Sequence, residues 1–150
     1  LTFNEAKPRL EELFDILPND FLYPLEGRHE SWFTDNALNY FKQKKYCLVW
    51  NVVEGVNNPF PITSNYLYVR LIGDRSIPDN QFGTIRKNKS ELIKNWAQKL
   101  AEILDIPLAM VMANNHFEGF GPATANTLGK NLGMRELIWE GKKQKTLGNF

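Results

Sequence analysis

Residues Tyr66 to Ile72, YLYVRLI, decide the fold class of this chain. The run is almost continuously apolar, and its aromatic and branched residues favour a strand. A half-exposed hairpin strand would alternate polar and apolar residues, so this run instead predicts a parallel strand that is covered on both faces. Three further runs have the same character: Phe21 to Leu25, Tyr46 to Val53 and Leu108 to Ala113.

Amphipathic segments separate these four predicted strands. The first segment ends at Pro18 and carries an apolar stripe at helical spacing, formed by Leu10, Leu13, Phe14 and Leu17. Thr34 is predicted to cap a second helix, and Asn88 with Glu91 forms a variant capping box for a third. Pro122 is placed in the first turn of a fourth helix. The alternation of strands and helices predicts an α/β fold with a parallel sheet.

Two architectures satisfy this order, an open doubly wound sheet and part of a closed barrel. The chain has no Gly-x-Gly-x-x-Gly after the first strand and no Walker loop, which weakens the case for a nucleotide-binding fold. A complete (β/α) barrel needs eight units and roughly 250 residues, and a chain of 150 residues holds about half of one. We interpret residues 1–150 as part of one domain, with residues 139–150 as a weakly ordered tail.

Composition bounds the functions that the chain can have. The net charge is +1, with 43% apolar and 23% charged residues, so composition predicts no strong overall attraction to nucleic acids or membranes. No apolar run approaches the roughly 20 residues that span a bilayer, which predicts no membrane partner. Cys47 is the one cysteine and is interpreted as a buried apolar residue. The absence of a disulfide framework fits a cytoplasmic location.

Polar residues gather where the predicted strands end. They are Glu26, Arg28 and His29 at the first strand, Trp50 and Asn51 in the second, Arg70 in the third, and Asn114, Asn115 and His116 after the fourth. In α/β sheets and barrels, ligands bind outside the carboxyl ends of the strands. Four strands therefore nominate one shared face as the site.

The charged members of this set have two interpretations. Glu26 is a candidate general acid or base and Arg28 a candidate anion clamp. His29 either assists Glu26 or orients its own turn by a hydrogen bond to the backbone. Alternatively, Glu26 and Arg28 form an internal ion pair that closes the mouth of the barrel. Arg70 lies in an apolar strand and needs an acidic partner or a ligand anion. Glu26 is a candidate for that partner, so the residues leave both interpretations open.

The neutral members are candidates for substrate binding. Asn114 and Asn115 either offer two amides to a ligand or brace their loop against itself, and His116 follows them directly. Gly121 opens a helix after the last strand, where phosphate often binds in barrels, although glycines also serve plain turns. Trp50 is a candidate for stacking on a base or sugar ring, although such rings more often pack in the core. No His-x-x-x-His or Cys-x-x-Cys spacing is present, so no metal site is predicted, and no cofactor is indicated.

Three motifs resemble one known family. LPNDF followed by LEGRHESWF (residues 17–21 and 25–33), YLYVRLIGD (66–74) and ANNHFEGFGPATANTL (113–128) are similar, in this order and spacing, to the later half of YecE-like proteins, also called domain of unknown function 72. The resemblance covers roughly Leu10 to Met134. It implies a parallel (β/α) TIM-like barrel of which this chain supplies about the last four units. It also implies that the N-terminal portion of the barrel is missing here.

The polar positions that match the family motifs include Glu26, Arg28, His29, Arg70, Asn114 and Asn115. Two residues depart from the pattern that the resemblance implies. Gly27 stands where a bulkier residue is common, and Asn51 stands where an acidic residue is common. The resemblance implies a fold and a site but no reaction.

Three functions remain open from the sequence. The first is an enzyme that acts on a small anionic substrate, phosphorylated or nucleotide-like, at the strand ends. The second is a nucleic-acid binding or processing protein, in which a basic loop with Arg75, Arg86, Lys87 and Lys89 lies beside the same face. The third is a non-catalytic half-barrel that pairs with a missing N-terminal half or with a second copy.

Overall fold

The computed structural model describes residues 1–18, 20–51, 56–103 and 105–138 of the chain. Its helices are α1 (Phe3–Ile16), α2 (Asp35–Lys44), α3 (Ser90–Ala101), α4 (Asn115–Glu118) and α5 (Gly121–Asn131). Its strands are β1 (Pro24–Leu25), β2 (Cys47–Leu48), β3 (Trp50–Asn51), β4 (Tyr66–Leu71) and β5 (Leu108–Ala113). Short 3-10 helices lie at Glu30–Phe33 and Asp79–Gln81. The predicted alternation of helices and strands is confirmed except between β3 and β4, where the described residues 56–65 contain no helix.

All the strand pairs are parallel. β1 pairs with β2, and β3, β4 and β5 form a second sheet in that order. Only Val49 separates β2 from β3, and its backbone N–H donates to the Leu25 carbonyl oxygen at 2.8 Å. Among the described residues these sheets are open and small. The α/β class is therefore confirmed, whereas the closed TIM-like barrel is not.

One face of the larger sheet is covered by helices. Leu67, Val69 and Leu71 alternate along β4 and point into an apolar core together with Trp50. Helices α3 and α5 close this core with Ile93, Trp96, Ala97 and Leu128. The period of two along β4 therefore separates this helix-covered face from the opposite side of the sheet, which we call the concave face.

A second core forms where α1 and α2 pack on β2. Its largest buried side chains are Phe3, Trp32 and Phe41, and the rings of Phe3 and Trp32 meet edge to face at 5.9 Å. Thr2 and Glu5 start α1 with a reciprocal capping box, in which each side chain accepts from the other residue's backbone N–H. This core fixes the segment that leads into β1.

The boundaries of several predicted elements differ from those observed. β1 begins at Pro24 rather than Phe21. The variant capping box at Asn88 is wrong, because α3 begins at Ser90 with Lys89 in the N-cap position. Asn88 instead accepts from the backbone N–H of Ser90 at 3.0 Å. The end of the predicted second strand (52–53) and the predicted tail (139–150) lie outside the described residues.

The predictions for α2 and α5 agree better with the structure. Thr34 occupies the N-cap position of α2, although its hydroxyl donates to the Ser31 carbonyl rather than capping the helix. Pro122 lies in the first turn of α5, as predicted. Gly133 follows the helix with a φ of 76°, a left-handed conformation that glycine adopts without the usual steric cost.

Candidate functional site

The carboxyl ends of the strands surround a cavity of about 410 Å³. Its walls are formed by Pro24, Glu26, Val49, Tyr68, Arg70, Leu71, Ile72, Met112, Ala113 and Asn114. Three of the predicted site residues, Glu26, Arg70 and Asn114, therefore come together although 88 positions separate the first from the last in sequence. Parallel pairing explains this, since it places the carboxyl ends of β1, β4 and β5 along the same edge.

Glu26 lines this cavity and accepts hydrogen bonds from two arginines, of which Arg70 also lines the cavity and Arg28 does not. Arg28 Nε donates to Glu26 Oε1 at 2.7 Å, and Arg70 Nη1 donates to Glu26 Oε2. The Glu26 side chain is 14% exposed and that of Arg70 is 34% exposed, whereas Arg28 is more exposed than either. Two guanidinium groups thus share a single carboxylate, which leaves an excess of positive charge in this cluster beside the cavity.

The strand geometry explains why Arg70 reaches this cavity. Arg70 follows Tyr66 and Tyr68 on the concave face of β4, opposite the side that holds Leu71. Its partner across the β4–β5 ladder is Met112, which is 54% exposed. A guanidinium in a fully enclosed core would carry a large desolvation cost, and here the ion pair and the open cavity reduce that cost.

Other predicted site residues have local structural partners instead. His29 caps the 3-10 helix Glu30–Phe33, because its Nδ1 accepts from the backbone N–H of Ser31 at 3.1 Å. Trp50 is buried in the helix-covered core, and its indole Nε1 donates to the Pro61 carbonyl oxygen at 2.8 Å. Neither residue lines the cavity. Their predicted roles at the substrate are untested.

The segment after β5 is bonded to itself. Asn114 Oδ1 accepts from the backbone N–H of His116 at 2.9 Å, and Asn115 Oδ1 accepts from that of Gly121 at 2.8 Å. A Cβ at Gly121 would lie 2.4 Å from the Ala113 carbonyl oxygen, so close packing accounts for this glycine. Of the predicted site residues in this segment, Asn114 lines the cavity and Asn115, His116 and Gly121 do not.

His116 faces the loop that follows β4 rather than the cavity. Its ring meets that of Phe82 edge to face at 4.9 Å, and its Nε2 lies 3.7 Å from Asp79 Oδ1. The Nδ1 atom is buried and has no hydrogen-bond partner. The structure thus brings His116 to the loop and not to Glu26.

The basic residues of the same loop are largely engaged within it. Lys87 Nζ donates to Asp74 Oδ2 at 2.7 Å, and this bond, with those from Ser76, holds the pKa of Asp74 below its usual value. Arg86 Nε donates to the Gln81 carbonyl oxygen at 3.0 Å. Lys89 Nζ lies 4.4 Å from the centre of the Phe117 ring. The ion pair offsets the charge of Lys87, whereas the contacts of Arg86 and Lys89 leave their charges in place.

Metal and nucleophile chemistry has little support in the described part of the chain. Those residues contain no group of three or more His, Cys, Asp or Glu side chains arranged to hold a metal ion. Cys47 is buried, and burial raises the pKa of its thiol. A thiol that is both inaccessible and harder to ionise is a poor nucleophile.

Comparison with known proteins identifies the family. The family model described as "Protein of unknown function DUF72" matches residues 1–147. The chain belongs to this family. A search of curated proteins finds no match.

Solved structures of DUF72 proteins are similar to this chain. A DUF72 family protein from Thermotoga maritima MSB8 aligns with a TM-score of 0.70 at 18% identity, over 89% of this chain and 53% of its own. A DUF72 family protein from Enterococcus faecalis V583 aligns with a TM-score of 0.69 at 19% identity, over 87% of this chain and 56% of its own. The present chain thus spans little more than half the length of these relatives, and the likeness concerns the fold.

The DUF72 chain also places residues at the site that the sequence interpretation did not single out. Tyr68 and Met112 line the cavity beside Arg70. Tyr68 shares the concave face with Arg70 because the two are separated by two positions, a signal that the sequence already contains. The position of Met112 beside Arg70 follows from the β4–β5 register, which no local sequence pattern predicts.

No helix in the described part is long and apolar enough to cross a bilayer.

Proposed function

We propose that this DUF72 chain binds a small anionic substrate in the cavity at the carboxyl ends of its strands. One observation carries the proposal: two guanidinium groups share the carboxylate of Glu26, which together with Arg70 lines a cavity of about 410 Å³. Arginine binds phosphate and carboxylate oxygens through paired N–H donors, which a single ion pair does not exhaust. A phosphorylated or nucleotide-like molecule fits this chemistry.

The cavity walls suggest how such a ligand would be held. Arg70 would contact the anion from the wall and the more exposed Arg28 from beside Glu26, while Tyr68 and Met112 would pack against its uncharged part. The amide of Asn114 is close enough to the same wall to contribute a donor. In this arrangement Glu26 is the proton-exchanging group if the protein is an enzyme, because it is the one acid in the described wall.

The test measures binding of inorganic phosphate and adenosine monophosphate by calorimetry. Arg70→Ala is expected to weaken binding about 10-fold to 100-fold, the range for losing a charged hydrogen-bond donor. Arg70→Lys should recover part of that loss, since it keeps the charge but not the planar fork. Arg9→Ala, on the exposed side of α1, is the matched control and should leave affinity unchanged. The proposal fails if the unaltered chain binds neither ligand.

We also propose that the concave face is completed by further strands, as in a TIM-like barrel. The described part of β5 pairs only with β4, and Leu108 and Met112 expose 43% and 54% of their surface. Apolar side chains beside an unpaired strand edge favour association with another β-segment. The greater length of the solved relatives makes additional β/α units of the same family fold the favoured partner over a second copy.

Sedimentation and thermal unfolding of the 150-residue chain test this second proposal. Concentration-dependent association, or a broad transition with low cooperativity, is the expected result. A strictly monomeric chain that unfolds in one sharp transition would contradict it. We further propose a cytoplasmic location, because the single cysteine, Cys47, is buried and forms no disulfide.

A further inference from the structure

Asn51 is a fully buried polar residue next to the arginine cluster. It ends β3, and its relative exposure is 0%. Its Cα pairs with that of Arg70 across the β3–β4 ladder, so the two side chains leave the same face of the sheet. A buried amide is retained only when its hydrogen bonds are made, and the partners of Asn51 therefore indicate what it does.

Those partners fix the orientation of the Asn51 amide. Asn58 Nδ2 donates to Asn51 Oδ1 at 3.2 Å, so the oxygen of Asn51 is occupied as an acceptor. Asn51 Nδ2 points the other way and donates to the Gly27 carbonyl oxygen at 3.3 Å. Asn58 is itself anchored, because its Nδ2 also contacts the Val49 carbonyl oxygen at 3.2 Å and its Oδ1 accepts from Phe60 N–H at 2.8 Å.

Gly27 is the residue between the two charged groups of the cluster. It lies between Glu26 and Arg28, and its Cα packs against a tryptophan on the other side. A Cβ at position 27 would come within 2.6 Å of Trp32 Cβ, which real Cβ atoms do not tolerate. The turn from Glu26 to Arg28 is therefore held from two directions, by the Asn51 amide at its carbonyl and by Trp32 at its Cα.

An acid could not replace the amide in this role. An ionised carboxylate only accepts hydrogen bonds, so it would place a negative oxygen against the Gly27 carbonyl oxygen. It would also lie beside Arg70 in register and would compete with Glu26 for that guanidinium. Both effects would displace the carboxylate that the two arginines share.

We propose that Asn51 is a positioning residue for the anion site, acting through the Gly27 carbonyl to hold Glu26 and Arg28 in place. This inference rests on the proposed function for its ligand, but the geometry it describes exists without a ligand. The two are therefore separable by experiment, because the hydrogen bond from Arg28 to Glu26 can be observed directly.

The test compares Asn51→Asp with Thr63→Val in the same chain. Thr63 is a matched control, since it is also buried, donating to the Tyr46 carbonyl and accepting from Leu48 N–H, but it has no contact with the turn at Gly27. Asn51→Asp is expected to weaken phosphate binding about tenfold, because it removes one buried donor and adds a negative charge beside Arg70. The NMR signal of the Arg28 Nε–H should also shift toward that of a free guanidinium. Thr63→Val should change neither, even if it lowers the melting temperature equally.

Each outcome decides a different question. If the unaltered chain binds no phosphate, the proposed function fails and the Arg28 signal alone decides the role of Asn51. If Asn51→Asp is folded and leaves both the affinity and the Arg28 signal unchanged, the inference is overturned. If that variant does not fold, Gly27→Ala replaces it, because the added Cβ displaces the same turn against Trp32 while every charge stays in place. An unchanged Arg28 signal in folded Gly27→Ala would then overturn the inference.

Discussion

The side chains on the two faces of β4 lie in different environments. On one face Leu67, Val69 and Leu71 expose no more than 2% of their surface and pack under α3 and α5. On the other face Tyr68 and Arg70 are only partly buried and line the cavity. Successive side chains of the strand thus alternate between two roles. One set packs in the apolar core, and the other set supplies polar groups to the cavity.

The difference shows where this fold can accommodate charge. The helix-covered face excludes water, and a guanidinium there would have to offset its full desolvation cost. On the concave face the same group keeps contact with solvent and shares the Glu26 carboxylate. A polar cluster can therefore form at the carboxyl ends of the strands without disturbing the core that lies one residue away.

Truncation on the two faces should have very different effects on stability. Leu71→Ala is expected to lower the free energy of unfolding by about 2–5 kcal/mol, because it leaves a cavity in a filled core. Met112→Ala, on the open face, should change it by only about 0.5 kcal/mol. Urea denaturation of both variants measures the contrast. A large loss for Met112→Ala would show that the concave face is covered in solution, which contradicts the contrast and favours barrel closure.

Much of this arrangement could be predicted from the sequence, since strand ends and alternation are local patterns. Glu26, Arg70 and Asn114 were expected to converge because parallel strands bring their carboxyl ends to one edge. The role of Asn51 could not be predicted, because it depends on the pairing with Arg70 and on a turn 24 residues earlier. His29 accepts from the backbone N–H of Ser31, a bond within its own turn that the sequence allows as readily as a catalytic role.

Removal of the carboxylate should affect stability and binding in opposite directions. Glu26→Gln leaves two guanidiniums without their shared acceptor, so the free energy of unfolding should fall by about 1–3 kcal/mol. Phosphate affinity should rise about tenfold, since the positive charge at the cavity is no longer offset. Calorimetry measures the phosphate affinity, and thermal melts measure the loss of stability.

Glu11→Gln in α1 is the control, because its exposed pair with Lys7 lies outside the site. Weaker phosphate binding in Glu26→Gln would show that the carboxylate assists the ligand rather than opposing it.

A smaller effect distinguishes the two ends of the concave face. Tyr66 begins β4 on the same face as Arg70 but is 5% exposed, whereas the Arg70 side chain is 34% exposed. Burial raises the pKa of Tyr66 from 10.0 to about 12, with Cys47 nearby adding to the shift. The folded state therefore holds this proton more tightly than the unfolded state. The resulting stabilisation is complete below about pH 10 and is lost as the pH rises towards 12.

Tyr66→Phe should flatten the fall in stability over this range, as followed by urea denaturation at each pH. If the free energy of unfolding falls equally with pH in both proteins, the pKa of Tyr66 is not raised. That result would mean that Tyr66 is as accessible to solvent as the residues of the cavity wall.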